Sequence, residues 1–194
     1  MTEPTDGQLT ARQAALQAEA AGILADLDLV AIIGKLGTPI QTGSSALGLM
    51  VARDIDVTTI CPALDVDRVF ELGRALAQHP RVCRLAFRND TGARNVDPDY
   101  PDGLYWMVDY RSDTGAEWNL DLWFLAEGTT QFDLEDMRNL PPRLTPETRL
   151  AILRIKEACH GQTPRIRSHR VYQAVLDHGI RTPAAFQRYL ADHP

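Results

Sequence analysis

Apolar residues recur at helical spacing from about Thr10 to Lys35, where Ala14, Leu16, Ala18, Ala21, Leu24, Leu27 and Ile32 share a face and alanine is abundant. Gly34, Gly37 and Pro39 end this segment. A short strand is expected over 39–42, running into Gly43-Ser44-Ser45. A brief apolar helix over 46–51 and a β-branched strand over 54–60 follow, the strand broken by Pro62. Asp65 is placed to cap a helix over 66–78, closed by His79-Pro80. Residues 82–88 read as a strand and 89–103 as a polar loop rich in Gly and Pro. The alternating aromatic runs 104–111 and 118–125, joined by Ser112-Asp113-Thr114-Gly115-Ala116-Glu117, predict a hairpin. Beyond Pro141-Pro142 the pattern is helical only: 146–160 after a Thr145 cap, a linker over 161–167, then 169–178 and 182–191, with Thr182 capping and Pro183 at the first position. Strands interleaved with helices, then helices alone, give an α/β (α+β) core over residues 1–142 and a helical cap over 143–194.

Composition narrows the class. With 194 residues, 44% hydrophobic and 24% charged, the chain is an ordinary globular protein rather than a disordered or fibrous one. Its longest aliphatic run, Leu29 to Ile33, is too short to cross a bilayer, and no apolar segment follows the polar N-terminus, so a cytoplasmic protein is expected. Cys61, Cys83 and Cys159 lie far apart, and the five histidines show no metal-binding spacing, which removes zinc and disulfide scaffolds. Charge is uneven. Residues 1–142 carry 11 basic and 22 acidic side chains, a net of -11, against 9 and 4 in residues 143–194, a net of +5. Opposite fields of this kind suit two sub-structures that face each other or a shared ligand. The acidic core argues against a long RNA partner.

Chemistry concentrates in Thr42-Gly43-Ser44-Ser45-Ala46-Leu47-Gly48 and Asp54-Ile55-Asp56-Val57. Gly43 permits a sharp turn and a close approach, and Ser44 and Ser45 open a helix whose free N–H groups suit a phosphate. In a strand, residues two apart point the same way, so Asp54 and Asp56 project together. Adjacent carboxylates repel, and a divalent cation with hard oxygen ligands, Mg2+ or Mn2+, relieves them. Asp121, in Leu120-Asp121-Leu122, offers a third carboxylate from a neighbouring strand, with Asn119 and Trp123 on the same face. Asp109 is its rival, because a one-residue slip of the hairpin exchanges faces. Asp65-Val66-Asp67 repeats the Asp-x-Asp spelling, but a helix start explains it.

A Gly-Ser pair, nine intervening residues, Asp-hydrophobic-Asp and a later lone Asp in a strand resemble the polymerase-beta-type nucleotidyltransferase superfamily, and its small bacterial members in particular. The resemblance covers about residues 10–125, with the helices after 145 similar to the cap of such proteins. It implies a mixed sheet flanked by helices, with Asp54 and Asp56 binding two Mg2+ or Mn2+ ions and Asp121 the catalytic one. Gly43, Ser44 and Ser45 would hold the phosphates of a nucleoside triphosphate such as ATP. An acceptor hydroxyl would attack the α-phosphorus and expel pyrophosphate. Lys156, one of only two lysines, would reach the phosphates from the cap, and Tyr172 would stack on the base. The acceptor is left open between a small molecule, a protein side chain and an RNA end, and the general base among Glu117, Asp109 and Glu147. Leu47 stands where small members often carry Arg, which leaves a second reading: a non-catalytic nucleotide-binding or toxin–antitoxin-type protein of the same fold.

Overall fold

A computed structural model describes residues 4–97, 100–163 and 166–193. Helix α1 (Asp6–Asp26) starts four residues before the periodic apolar face, because Thr5 and Gln8 form a reciprocal capping box. It also ends earlier than the alanine-rich pattern suggests. Asp28 takes the left-handed conformation (φ 47°) between the buried Leu27 and Leu29, and the chain restarts as α2 (Leu29–Gly34). Strand β1 (Thr38–Thr42) leads directly into α3 (Gly43–Leu47), which Gly48 closes at φ 69°. The short helix therefore begins at Gly43 rather than at residue 46, and residues 49–51 lie outside it.

Strand β2 (Asp54–Cys61) and α4 (Val66–Ala77) follow, the latter capped by Asp65, whose side chain accepts from the Arg68 N–H at 3.1 Å. Strands β3 (Val82–Asp90), β4 (Gly103–Arg111) and β5 (Glu117–Ala126) complete one sheet in the order β1-β2-β5-β4-β3. The β2–β5 pair is parallel and the others antiparallel. Helix α5 (Phe132–Asn139) was not expected. Helices α6 (Pro146–Cys159), α7 (Ser168–Leu176) and α8 (Pro183–Asp192) form the C-terminal unit, with Thr145 and Thr182 capping as the sequence suggests. The expected linker and loop positions 98–99 and 164–165 lie outside the described residues.

Three apolar clusters organise the chain, two of them large. The larger one packs α1, α2 and α4 on one sheet face, through Ile55, Val57, Leu120, Leu122 and Phe124. The second joins α6, α7 and α8 and also takes in Leu47, Leu49 and Leu140 from earlier in the chain. Basic side chains of α6 serve this union. Arg154 pairs with Asp6 at 2.6 Å, and Arg149 donates to the Leu47 carbonyl. The third cluster, Trp123, Leu125 and Leu134 with Ile40, Ile60 and Tyr105 packed on it, lies on the other sheet face beside a cleft. No described helix is long and apolar enough to cross a membrane.

Candidate active site

Register brings the acids together. Asp56 lies opposite Asp121 and Asp54 opposite Asn119 across the parallel β2–β5 pair, so all four side chains rise from one face. One carboxylate oxygen from each of Asp54, Asp56 and Asp121 lies within 4.8 Å of the others. Asp109 shares this face but sits beyond the cluster, where it accepts from Arg84 at 2.7 Å. Asn119 Nδ2 bridges Asp54 and Asp121, donating to each at 2.9 Å, and the Tyr105 hydroxyl donates to Asp121 at 2.5 Å. Sequence reasoning put Asn119 on the right face without a role and did not single out Tyr105. Its signal is strand alternation in β4, which sets Tyr105 against Trp123.

Electrostatics mark Asp56 as the strained member. Burial first, then the charges of Asp54, Asp121 and Asp133, hold its carboxyl well above the ordinary range, and Lys156 opposes them. Burial and the Asp121 charge likewise push the Tyr105 phenol up, so it stays a hydrogen-bond donor. Gly43 explains part of this crowding. At φ 62° it occupies the left-handed region, and a Cβ there would land on the Asp56 carboxylate. The glycine thus makes room for a carboxylate, where the sequence suggested room for a phosphate.

A cleft of about 890 Å³ opens over the cluster. Gly43, Ser44, Asp54, Asp56 and Asp121 line one side, and residues of α5 and the start of α7 line another. Helix α5 is tied to the sheet by a buried bond from the Thr58 hydroxyl to Gln131 Oε1 at 2.7 Å. It contributes Asp133, Glu135 and Asp136. Burial and neighbouring acids raise the Asp133 carboxyl and push Asp136 up to about 6. Arg167 and His169 are the basic side chains among the described lining residues.

Several expected site residues sit elsewhere. Ser45 is fully buried, its hydroxyl donating to the Thr42 carbonyl and accepting from Gln41, so it turns away from the cleft. Leu47 is buried in the C-terminal cluster, so it is spent on packing and does not line the cleft. Lys156 does not line the cleft. Its amine donates to the Leu49 carbonyl at 2.9 Å and lies 5.6 Å from the centre of the Tyr172 ring. Tyr172 lines the cleft but is packed in that cluster with its hydroxyl buried, so little of its ring is open to stacking. Glu117 and Glu147 pair with Arg111 and Arg181 outside the cleft, which removes them as bases.

These three carboxylates fit a divalent cation. They supply clustered, half-buried hard oxygen donors, one of them strongly repelled by its neighbours, with bridging donors on the outside. No protein-family profile matches the chain, and no curated protein matches it. Among solved structures, a cytoplasmic RNA terminal U-transferase aligns at 16% identity and TM-score 0.46, over 77% of this chain and 46% of its own. The chain therefore spans less than half of that protein's length. A chain of the GLD-2/RNP-8 complex aligns at 11% identity and TM-score 0.55, over 95% of this chain and 71% of its own. The likeness is one of fold: a five-stranded mixed sheet flanked by helices, nucleotidyltransferase-like in its architecture.

Proposed function

We propose that this chain is a metal-dependent nucleotidyltransferase that moves a nucleoside monophosphate from a nucleoside triphosphate to an acceptor hydroxyl. The observation that carries the reading is the convergence of Asp54, Asp56 and Asp121 beside Gly43 and Ser44 on one sheet face under a cleft. Asp54, Asp56 and Asp121 would hold one or two Mg2+ or Mn2+ ions. When bound, such ions neutralise charge on the reacting phosphate and on the entering and leaving oxygens.

The chain's own groups supply the rest. Asn119 and Tyr105 hold the carboxylates in place and keep Asp121 oriented. Gly43 and Ser44 border the position of the phosphates. Arg167 and the amide end of α7 bring positive charge to the cleft lining, and the Lys156 charge acts on Asp56 from the helical cluster. The acceptor oxygen bonds to the α-phosphorus as the bond to the bridging oxygen breaks. Pyrophosphate leaves with that electron pair, and the hydroxyl proton passes to solvent.

The test is incubation with Mg2+ or Mn2+, each labelled nucleoside triphosphate and pooled hydroxyl acceptors, reading pyrophosphate release and label transfer. Release that depends on acceptor and is lost in Asp121→Asn supports the reading. Tight triphosphate binding with no release under any condition would move the assignment to a non-catalytic nucleotide-binding protein of this fold.

A further inference from the structure

Arg88, near the end of β3, holds a buried Nη2 that has no hydrogen-bond partner. Its Nε donates to the buried Asp90 at 2.6 Å. The guanidinium carbon lies 4.2 Å from the centre of the Tyr100 ring, 4.8 Å from that of Tyr105 and 5.3 Å from that of Trp123. The ion pair uses one edge of the guanidinium, and ring faces, which attract a cation, surround the rest.

Register shows where this cage leads. Arg88 lies opposite Tyr105 and Tyr105 opposite Trp123, so the three form one row across the cleft face of the sheet. The neighbouring row on that face runs from Ala86 through Met107 to Asp121 and Asp56, two of the three clustered acids. Tyr105 joins the rows: its ring packs against Arg88, and its hydroxyl donates to Asp121 at 2.5 Å. Tyr100 and Trp123 line the cleft, and Arg88 does not. A cation against the face of a phenol draws charge from the ring and strengthens its O–H as a donor. The Arg88 charge accordingly opposes the upward push of burial and Asp121 on the Tyr105 phenol.

We propose that Arg88 is a positioning residue of the cation site, locking the Tyr105 ring against Trp123 so that the Tyr105 hydroxyl fixes the direction of the Asp121 carboxylate. This deepens the transfer reading and rests on Asp121 as a cation ligand, but cation binding is measured without turnover. The sign of the effect separates positioning from charge. By Coulomb's law alone a positive side chain beside a cation site weakens binding, so its loss would raise Mg2+ affinity. Positioning predicts the reverse: without Arg88 the carboxylate gains freedom and affinity falls.

The test is a calorimetric titration of Mg2+ into the nucleotide-free full chain, as wild type, Arg88→Met, Arg88→Gln, Tyr105→Phe and the Arg88→Met/Tyr105→Phe double variant. Arg88→Gln keeps a donor for Asp90, which guards against loss of the fold in Arg88→Met. Both neutral variants should bind Mg2+ about five-fold more weakly, a smaller loss than Tyr105→Phe gives. The double variant should bind no more weakly than Tyr105→Phe, because Arg88 acts through that hydroxyl. Arg84→Gln is the control. Arg84 stands in the row that leads through Asp109 and Asn119 to Asp54, and it pairs with Asp109 at 2.7 Å. Its replacement removes the same charge from the same strand and should leave affinity unchanged or slightly higher. Unchanged or tighter Mg2+ binding in both Arg88 variants would overturn the proposal. So would losses that add in the double variant, an equal loss in Arg84→Gln, or absence of Mg2+ binding by the wild type. The expected pattern of Mg2+ affinities without pyrophosphate release by the wild type would support the positioning role and count against the transfer reading alone.

Discussion

Strand β5 has two faces with one backbone and opposite chemistry. Trp118, Leu120, Leu122 and Phe124 enter the larger core, while Asn119 and Asp121 rise into the acidic cleft. The apolar face is stabilised by burial and gains from being closed. On the cleft face, beside a small apolar cluster of Trp123, Leu125 and Leu134, the acids store repulsion, held by Asn119 and Tyr105, and gain only when a ligand arrives. A sheet that keeps its stability on one side can tolerate a destabilised cluster on the other, and this separation lets the site be charged without unfolding the domain.

Breaking the apolar face should show the largest effect. Phe124→Ala empties a fully buried position and is expected to cost about 3–5 kcal/mol, read as a lower denaturation midpoint. Gly43→Ala acts where the two faces meet. Left-handed strain and collision with Asp56 should together cost about 2–4 kcal/mol and remove any stabilisation by Mg2+. Tyr105→Phe leaves the core intact and takes one donor from Asp121. Mg2+ affinity should fall about ten-fold in a calorimetric titration, with little change in unfolding of the metal-free protein. Arg154→Ala, on an exposed pair with Asp6, should change stability by less than about 1 kcal/mol and leave metal binding alone. A large loss there would mean that docking of α6 on α1 depends on charge more than on apolar packing.

Legibility in the sequence followed the same division. The strands were readable because their alternation is strong. The acid cluster was readable because Asp-x-Asp and Leu-Asp-Leu violate an otherwise apolar pattern. Helix α5 was not. Its eight residues bury Leu134 alone, and in a polar stretch a single apolar contact leaves no period. Lys156 and Tyr172 were assigned to the ligand on scarcity and type, whereas their positions are set by the packing of α6 and α7, which local pattern does not encode. Ser45 followed the same rule, since α3 starts at Gly43, three residues earlier than expected, and its start decides which hydroxyl faces the cleft.

The central claim is that the cleft face is a cation site whose strain is centred on Asp56. Because burial and neighbouring acids raise the folded-state value of Asp56, the metal-free protein binds its proton more tightly than the unfolded chain does. The contribution to stability is then greatest at low pH and declines as pH rises above about 4, the unfolded value, and through the folded one. The direct measurement is the denaturation midpoint of the wild type and Asp56→Asn at pH 5 and pH 8, with and without Mg2+. The account predicts that Mg2+ raises the wild-type midpoint more at pH 8 than at pH 5. It also predicts that metal-free Asp56→Asn exceeds the metal-free wild type at pH 8 and no longer responds to the ion. An equal response of both proteins to Mg2+, or a metal-free Asp56→Asn less stable than the wild type at pH 8, would contradict it.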